Sequence, residues 1–82
     1  MTIQVLLFGA CREAASGLGE ISWDLPEPAT VAAIWTEMSR RYPALSRFER
    51  QVLFAVNEEY AQPEKTLARG DILAIFPPVS GG

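Results

Sequence analysis

Two rhythms of apolar residues run along the chain. Ile3-Gln4-Val5-Leu6-Leu7-Phe8 is β-branched and apolar, too short for a helix and closed by Gly9, so it predicts a buried strand over Val5–Phe8. Ala10 to Ala15 then suits one or two helical turns, ended by the breaker Ser16-Gly17-Leu18-Gly19. From Glu20 to Leu25 the pattern alternates cleanly: Ile21, Trp23 and Leu25 share one face, Glu20, Ser22 and Asp24 the other. This predicts a strand with one wet side.

Pro26-Glu27-Pro28 stops that strand, and Thr30 is placed to cap a helix whose apolar residues Val31, Ile34, Trp35 and Met38 fall at i, i+3, i+4 and i+7. Arg40 and Arg41 complement its C-terminal dipole, and Tyr42-Pro43 prevents continuation because the residue before Pro is pushed out of helical geometry. Leu45 and Phe48 are expected to anchor an irregular or short helical connection. Val52–Val56 is strand-like, Asn57-Glu58 suits a turn, and Glu59-Tyr60-Ala61 returns as a short partner strand. Pro63–Leu67 reads as a turn or 3₁₀ segment, and Arg69-Gly70-Asp71 turns the chain into a last apolar strand, Ile72–Phe76.

Two strands, one helix and further strands make an α+β chain whose simplest arrangement is a mixed sheet with one face on the Val31–Met38 helix. The first and last strands, apolar throughout, belong in its centre. This is the layout of a β-grasp, or ubiquitin-like, fold, although element order leaves other α+β topologies open. The expected division is a β-grasp domain over 1–76 and an extended tail over 77–82.

Composition narrows the chemistry. With 82 residues there is room for one domain, and 49% apolar residues is about what so small a core needs, with some apolar surface left for a partner. The chain has no His and one Cys, so neither Ser–His nor Cys–His nucleophile pairs nor a multi-thiolate zinc site can be assembled. Cys11 reads as a small hydrophobe rather than a nucleophile or sulfur relay. A formal net charge of -3 argues against nucleic acid as the main ligand, and no apolar run approaches the ~18 residues of a membrane span. A lone cysteine and the absence of a basic stretch ahead of an apolar segment at Met1-Thr2-Ile3-Gln4 fit a cytoplasmic protein.

The C-terminus, Pro77-Pro78-Val79-Ser80-Gly81-Gly82, carries the remaining chemistry. Pro77-Pro78 ends strand pairing, and an extended segment from there to Gly82 reaches at most roughly 20 Å. Gly81 and Gly82 place the terminal carboxylate on a stalk without side chains, able to pass through a narrow channel. A carboxylate of pKa roughly 3.3–3.7 is ionised at neutral pH and is a poor electrophile until adenylated by an ATP-using enzyme. The activated acyl group can then pass to an amine or to a sulfur donor. Two successive glycines arise at a given end by chance in about one chain in 200.

The ending Ile75-Phe76-Pro77-Pro78-Val79-Ser80-Gly81-Gly82 after Arg69-Gly70-Asp71 resembles the small, sulfur-carrying subunits of molybdopterin synthase. So do Val5-Leu6-Leu7-Phe8-Gly9-Ala10-Cys11-Arg12-Glu13, Thr30-Val31-Ala32-Ala33 and Ala55-Val56-Asn57-Glu58-Glu59-Tyr60. One departure is Ile72, where many family members place Glu. The resemblance implies a non-catalytic β-grasp carrier, binding no cofactor itself. Its terminal glycine, here Gly82, would be adenylated by an E1-like enzyme using ATP and converted by a sulfurtransferase pathway into a thiocarboxylate. The sulfur would then go to cyclic pyranopterin monophosphate in the large catalytic subunit, within a heterotetramer of two small and two large subunits. It also implies that Phe76, Pro77, Pro78, Val79, Ser80 and Gly81 serve tail and partner binding, and that Arg12 lies near the partner interface. For Phe76 the competing reading is simply the last core residue of the strand, for Arg12 a solvated arginine is an equally good reading, and a solvated helix end accounts for Arg40, Arg41, Arg47 and Arg50. Three alternatives stay open: a sulfur carrier for thiazole synthesis, a ubiquitin-like protein modifier, and an interaction domain with an incidental tail.

Overall fold

The chain in the computed structural model, which describes residues 1–78, builds its sheet around its two most apolar strands. Strand β1 (Thr2–Leu7) leads through helix α1 (Gly9–Ala14) to β2 (Glu20–Asp24) and the two-residue β3 (Ala29–Thr30). Helix α2 (Val31–Arg41) and a 3₁₀ segment (Pro43–Phe48) follow, then β4 (Leu53–Val56), β5 (Glu59–Ala61), β6 (Thr66–Leu67) and β7 (Ile72–Phe76). The main sheet has the order β2-β1-β7-β4-β5, with β1 and β7 parallel and the other pairs antiparallel. Both apolar strands are therefore interior, as their composition predicts.

Helix α2 follows its periodicity. Val31, Ile34, Trp35 and Met38 are its buried residues, packed with Ile3, Val5 and Leu7 of β1, Leu73 and Ile75 of β7, and Phe54 and Val56 of β4. Each such side chain contributes roughly 1.5–3 kcal/mol on burial, so this layer carries most of the stability. Thr30 caps the helix, its hydroxyl accepting from the Ala33 amide at 3.2 Å. The Val31 and Ala32 amides donate to the carbonyls of Lys65 and Pro63 at 3.0 and 2.9 Å, which ties the 63–65 loop to the helix start.

This loop differs from the sequence expectation. Thr66–Leu67 is not part of a turn or 3₁₀ segment but a strand pairing with Ala29–Thr30. Two residues carry no readable period, and the pairing is imposed by the helix start that both segments flank. The Val52–Val56 strand begins at Leu53 and the first strand ends at Leu7, leaving Phe8 outside it. Asn57 and Glu58 adopt φ of 50° and 71°, the two left-handed residues of a type I′ hairpin turn. Asn57 then locks the start of β7, donating to the Asp71 carboxylate at 2.9 Å and accepting from the Ile72 amide at 3.0 Å.

Candidate functional site

The parallel register of β1 and β7 pairs Leu7 with Ile75, so the next residues, Phe8 and Phe76, emerge side by side on the sheet face opposite α2. The Phe8 amide continues the ladder, donating to the Ile75 carbonyl at 3.1 Å, and the two rings stack with centroids 4.8 Å apart and planes within 8°. Immediately beyond, Gly9 has φ +54° and lies so close to Pro77 that a Cβ there would stand 3.0 Å from Pro77 Cγ. A side chain at Gly9 would thus meet both a backbone penalty and the proline ring. The dipeptides Phe8-Gly9 and Phe76-Pro77 interlock, aromatic on aromatic and proline on glycine. Pro77 and Pro78, both half-buried, leave the sheet from this fixed root. The expectations placed on Val79, Ser80, Gly81 and Gly82 lie outside the described residues.

The sheet face beside the root is apolar and uncovered by any described residue. One row across four strands reads Leu6, Ala74, Ala55, Tyr60; the flanking rows bring Phe8, Phe76 and Leu53 on one side and Ile72 and Asn57 on the other. Small residues at Ala55 and Ala74 form the floor of a concavity of about 560 Å³ walled by Leu6, Phe8, Phe76, Ile72, Tyr60, Asn57 and Glu58. Exposure is 42% at Phe8, 44% at Ile72 and 82% at Tyr60. The outward residues of β7 are therefore apolar without being core, and Phe76 belongs to this face rather than to the hydrophobic interior. Tyr60 and Gly9 carried no site expectation: tyrosine in a short hairpin strand reads as ordinary β propensity, and glycine after a strand as a breaker. The alternation Ile72, Ala74, Phe76 was the available signal.

Arg12 lies on α1, inside the stretch expected to form helical turns, because the turn at Gly9 starts the helix at once. Its Nε donates to the Gly17 carbonyl at 3.1 Å while the Gly17 amide donates back to the Arg12 carbonyl at 2.9 Å. The guanidinium also covers Gly19, where a Cβ would stand 3.1 Å from Cζ. Arg12 is thus the clamp of the α1–β2 loop at the tail end of the sheet. Cys11 is fully buried, and burial pushes its thiol up to about 11, the opposite of an activated thiolate. Among the described residues no group of three or more acidic, His or Cys side chains could hold a metal ion, and no helix is long and apolar enough to cross a membrane.

A mixed sheet wrapped on one helix, with the C-terminal strand central and the tail leaving from it, defines a ubiquitin-like β-grasp protein of the α+β class. Residues 5–82 match the ThiS family, and the chain belongs to it. It is 37% identical over 84 residues to the molybdopterin synthase sulfur carrier subunit of Chlamydomonas reinhardtii, covering 100% of both chains. It is 33% identical over 81 residues to that of Escherichia coli (strain K12), covering 98% of this chain and 99% of the relative. Among solved structures, SAMP1 from Haloferax volcanii, a small archaeal modifier protein, superposes over 100% of both chains with a TM-score of 0.87 and 32% identity.

Proposed function

We propose that this chain is the sulfur-carrying subunit of a two-component molybdopterin synthase, acting in the cytoplasm. The domain over 1–76 presents the tail over 77–82, whose working group is the Gly82 carboxylate. A carboxylate oxygen attacks the α-phosphorus of ATP on an E1-like activating enzyme, and pyrophosphate leaves. A sulfurtransferase persulfide then attacks the acyl carbon and displaces AMP, and a thiol attacks the sulfurtransferase sulfur of the resulting acyl disulfide, leaving the thiocarboxylate and a new disulfide. This is a sulfur nucleophile at neutral pH and needs no side-chain catalyst on the carrier, in keeping with a chain of no His and a single buried Cys. The large catalytic subunit receives the tail, and sulfur passes there to cyclic pyranopterin monophosphate.

One observation carries the reading: the tail root is fixed by the Phe8-Gly9/Phe76-Pro77 interlock at the border of an open apolar concavity. A partner seated on that face receives the tail in a defined direction, with Phe76 as a shared anchor and Arg12 holding the loop beside it. In a reconstituted assay with the large subunit, activating enzyme, ATP and a sulfur source, a chain ending at Gly81 should lose pterin conversion while its urea midpoint stays unchanged. Conversion by the shortened chain would overturn the proposal.

The likeness to SAMP1 favours a second reading, a protein modifier joined through Gly82 to lysines. Isopeptide adducts on other proteins, recovered by mass spectrometry and absent without Gly82, distinguish it.

A further inference from the structure

The other notable surface lies away from the tail, along β2. Among the described residues this strand is the edge of the sheet, pairing with β1 alone. The Leu25 amide donates to the Met1 carbonyl and the Leu7 amide to the Gly19 carbonyl, so the odd-numbered residues of this segment face β1. By antiparallel alternation, Glu20, Ser22 and Asp24 turn their amides and carbonyls to the open edge. The edge is stiffened from its outer face, where Gln4 Nε2 donates to Ser22 Oγ at 3.0 Å and the Thr2 hydroxyl donates to the Asp24 carboxylate.

Beside this edge, on the helix side, a groove of about 300 Å³ opens between β2 and the end of α2. Half-buried Ile21 and Trp23, with exposed Ser22 and Asp24 of the same strand, form one wall, and Arg41 and Tyr42 the other. Arg41 lies over the Tyr42 ring with Cζ 5.9 Å from its centroid. Stacking holds a guanidinium by its face and leaves its in-plane N–H donors free for a carboxylate. Among the described residues no carboxylate lies within ion-pairing distance of Arg41: neither Glu37, one turn back on α2, nor Asp24, whose carboxylate accepts from the Thr2 hydroxyl, pairs with it.

We propose that the β2 edge accepts an extended peptide from another protein, added as a sixth strand. Its side chains facing the groove are apolar against Ile21 and Trp23 and acidic against Arg41. Strand addition supplies the backbone partners that Glu20, Ser22 and Asp24 do not find among the described residues, and the groove reads alternate side chains. The outward face sets the complementary rule: Glu20 and Asp24 demand neutral or basic residues at the intervening positions. The same two acids count against a second copy as occupant, because antiparallel pairing of two β2 edges about Ser22 sets Glu20 opposite Asp24 of the other copy.

The test uses ¹⁵N-labelled full-length chain titrated with the blocked peptide KVTVKDK, whose valines and aspartate share one face. Saturable shifts centred on Glu20–Asp24, with slowed hydrogen exchange at the Glu20, Ser22 and Asp24 amides, are expected. Ser22→Pro removes one edge amide at a position where an edge strand tolerates proline, and should abolish binding while leaving the fold intact. Arg41→Gln should weaken the aspartate peptide about threefold and leave the asparagine version unaffected. Shifts centred on Phe8, Tyr60 and Phe76, no saturable shift, unimpaired binding by Ser22→Pro, or edge protection that grows with protein concentration and not with peptide would each overturn the proposal.

Discussion

Replacing Phe76 by Ala separates the stability of the tail root from its use as a docking surface. Truncating a fully buried Phe typically costs about 3–5 kcal/mol, part of it from the cavity left behind. Phe76 is only half-buried, on a face open to solvent, so no cavity forms and roughly 1 kcal/mol of transfer energy is lost. Losing the stack on Phe8 adds about 0.5–1.5 kcal/mol, giving about 2 kcal/mol in all. Urea unfolding followed through Trp23 and Trp35 fluorescence measures this. With Phe8→Ala and the double variant it gives a coupling energy, expected at about 0.5–1.5 kcal/mol. Calorimetric titration with the large subunit should show a separate loss of binding of similar size, about 2 kcal/mol, or about thirtyfold in Kd, as for an aromatic anchor. Additive single effects would refute the stack. A stability loss of about 4 kcal/mol would place Phe76 in the core. Unchanged affinity would remove the apolar face from docking.

Other perturbations have equally definite outcomes. Gly9→Ala forces a side chain into left-handed backbone beside Pro77, so it should cost about 1–2 kcal/mol in urea unfolding and lower tail activation at saturating activating enzyme. Glu58→Gly relieves the second left-handed residue of the hairpin turn and should stabilise the domain by about 0.5–1 kcal/mol, read as a raised urea midpoint. Burial raises the Cys11 thiol from 9.0 to about 11, so its contribution is complete below pH 9 and is lost as pH rises to 11, where the unfolded chain ionises first. The loss is roughly 2–3 kcal/mol, and the stability–pH slope over that interval should flatten in Cys11→Ala.

What could be seen in the sequence follows from how local the cause is. Helix α2 was legible because its stripe, its Thr30 cap and its Tyr42-Pro43 stop all act within a few residues. The hairpin at Asn57-Glu58 was legible for the same reason. The β3–β6 pairing was not, since Ala29–Thr30 and Thr66–Leu67 are brought together only by the α2 start. The clamp made by Arg12 was not legible, because its partners Gly17 and Gly19 meet it only once the loop after α1 folds back. The apolar face illustrates a subtler gap. Continuous apolarity in Ile72–Phe76 says that both faces want covering, yet it does not say by what: α2 covers Leu73 and Ile75, whereas Ile72, Ala74 and Phe76 look onto the open concavity, with Phe76 shielded in part by the Phe8 ring. Gly9 acquires its meaning only with Pro77 against it, a contact across 68 positions of sequence.

The central claim concerns the end of the chain. Incubation of the purified protein with its activating enzyme, ATP and a sulfur source, followed by intact-mass measurement and C-terminal fragmentation, addresses it directly. A mass increase equal to the replacement of one oxygen by sulfur, located at Gly82 and absent without ATP, is the expected result. An unchanged mass with enzymes that load another carrier in the same preparation would contradict the claim.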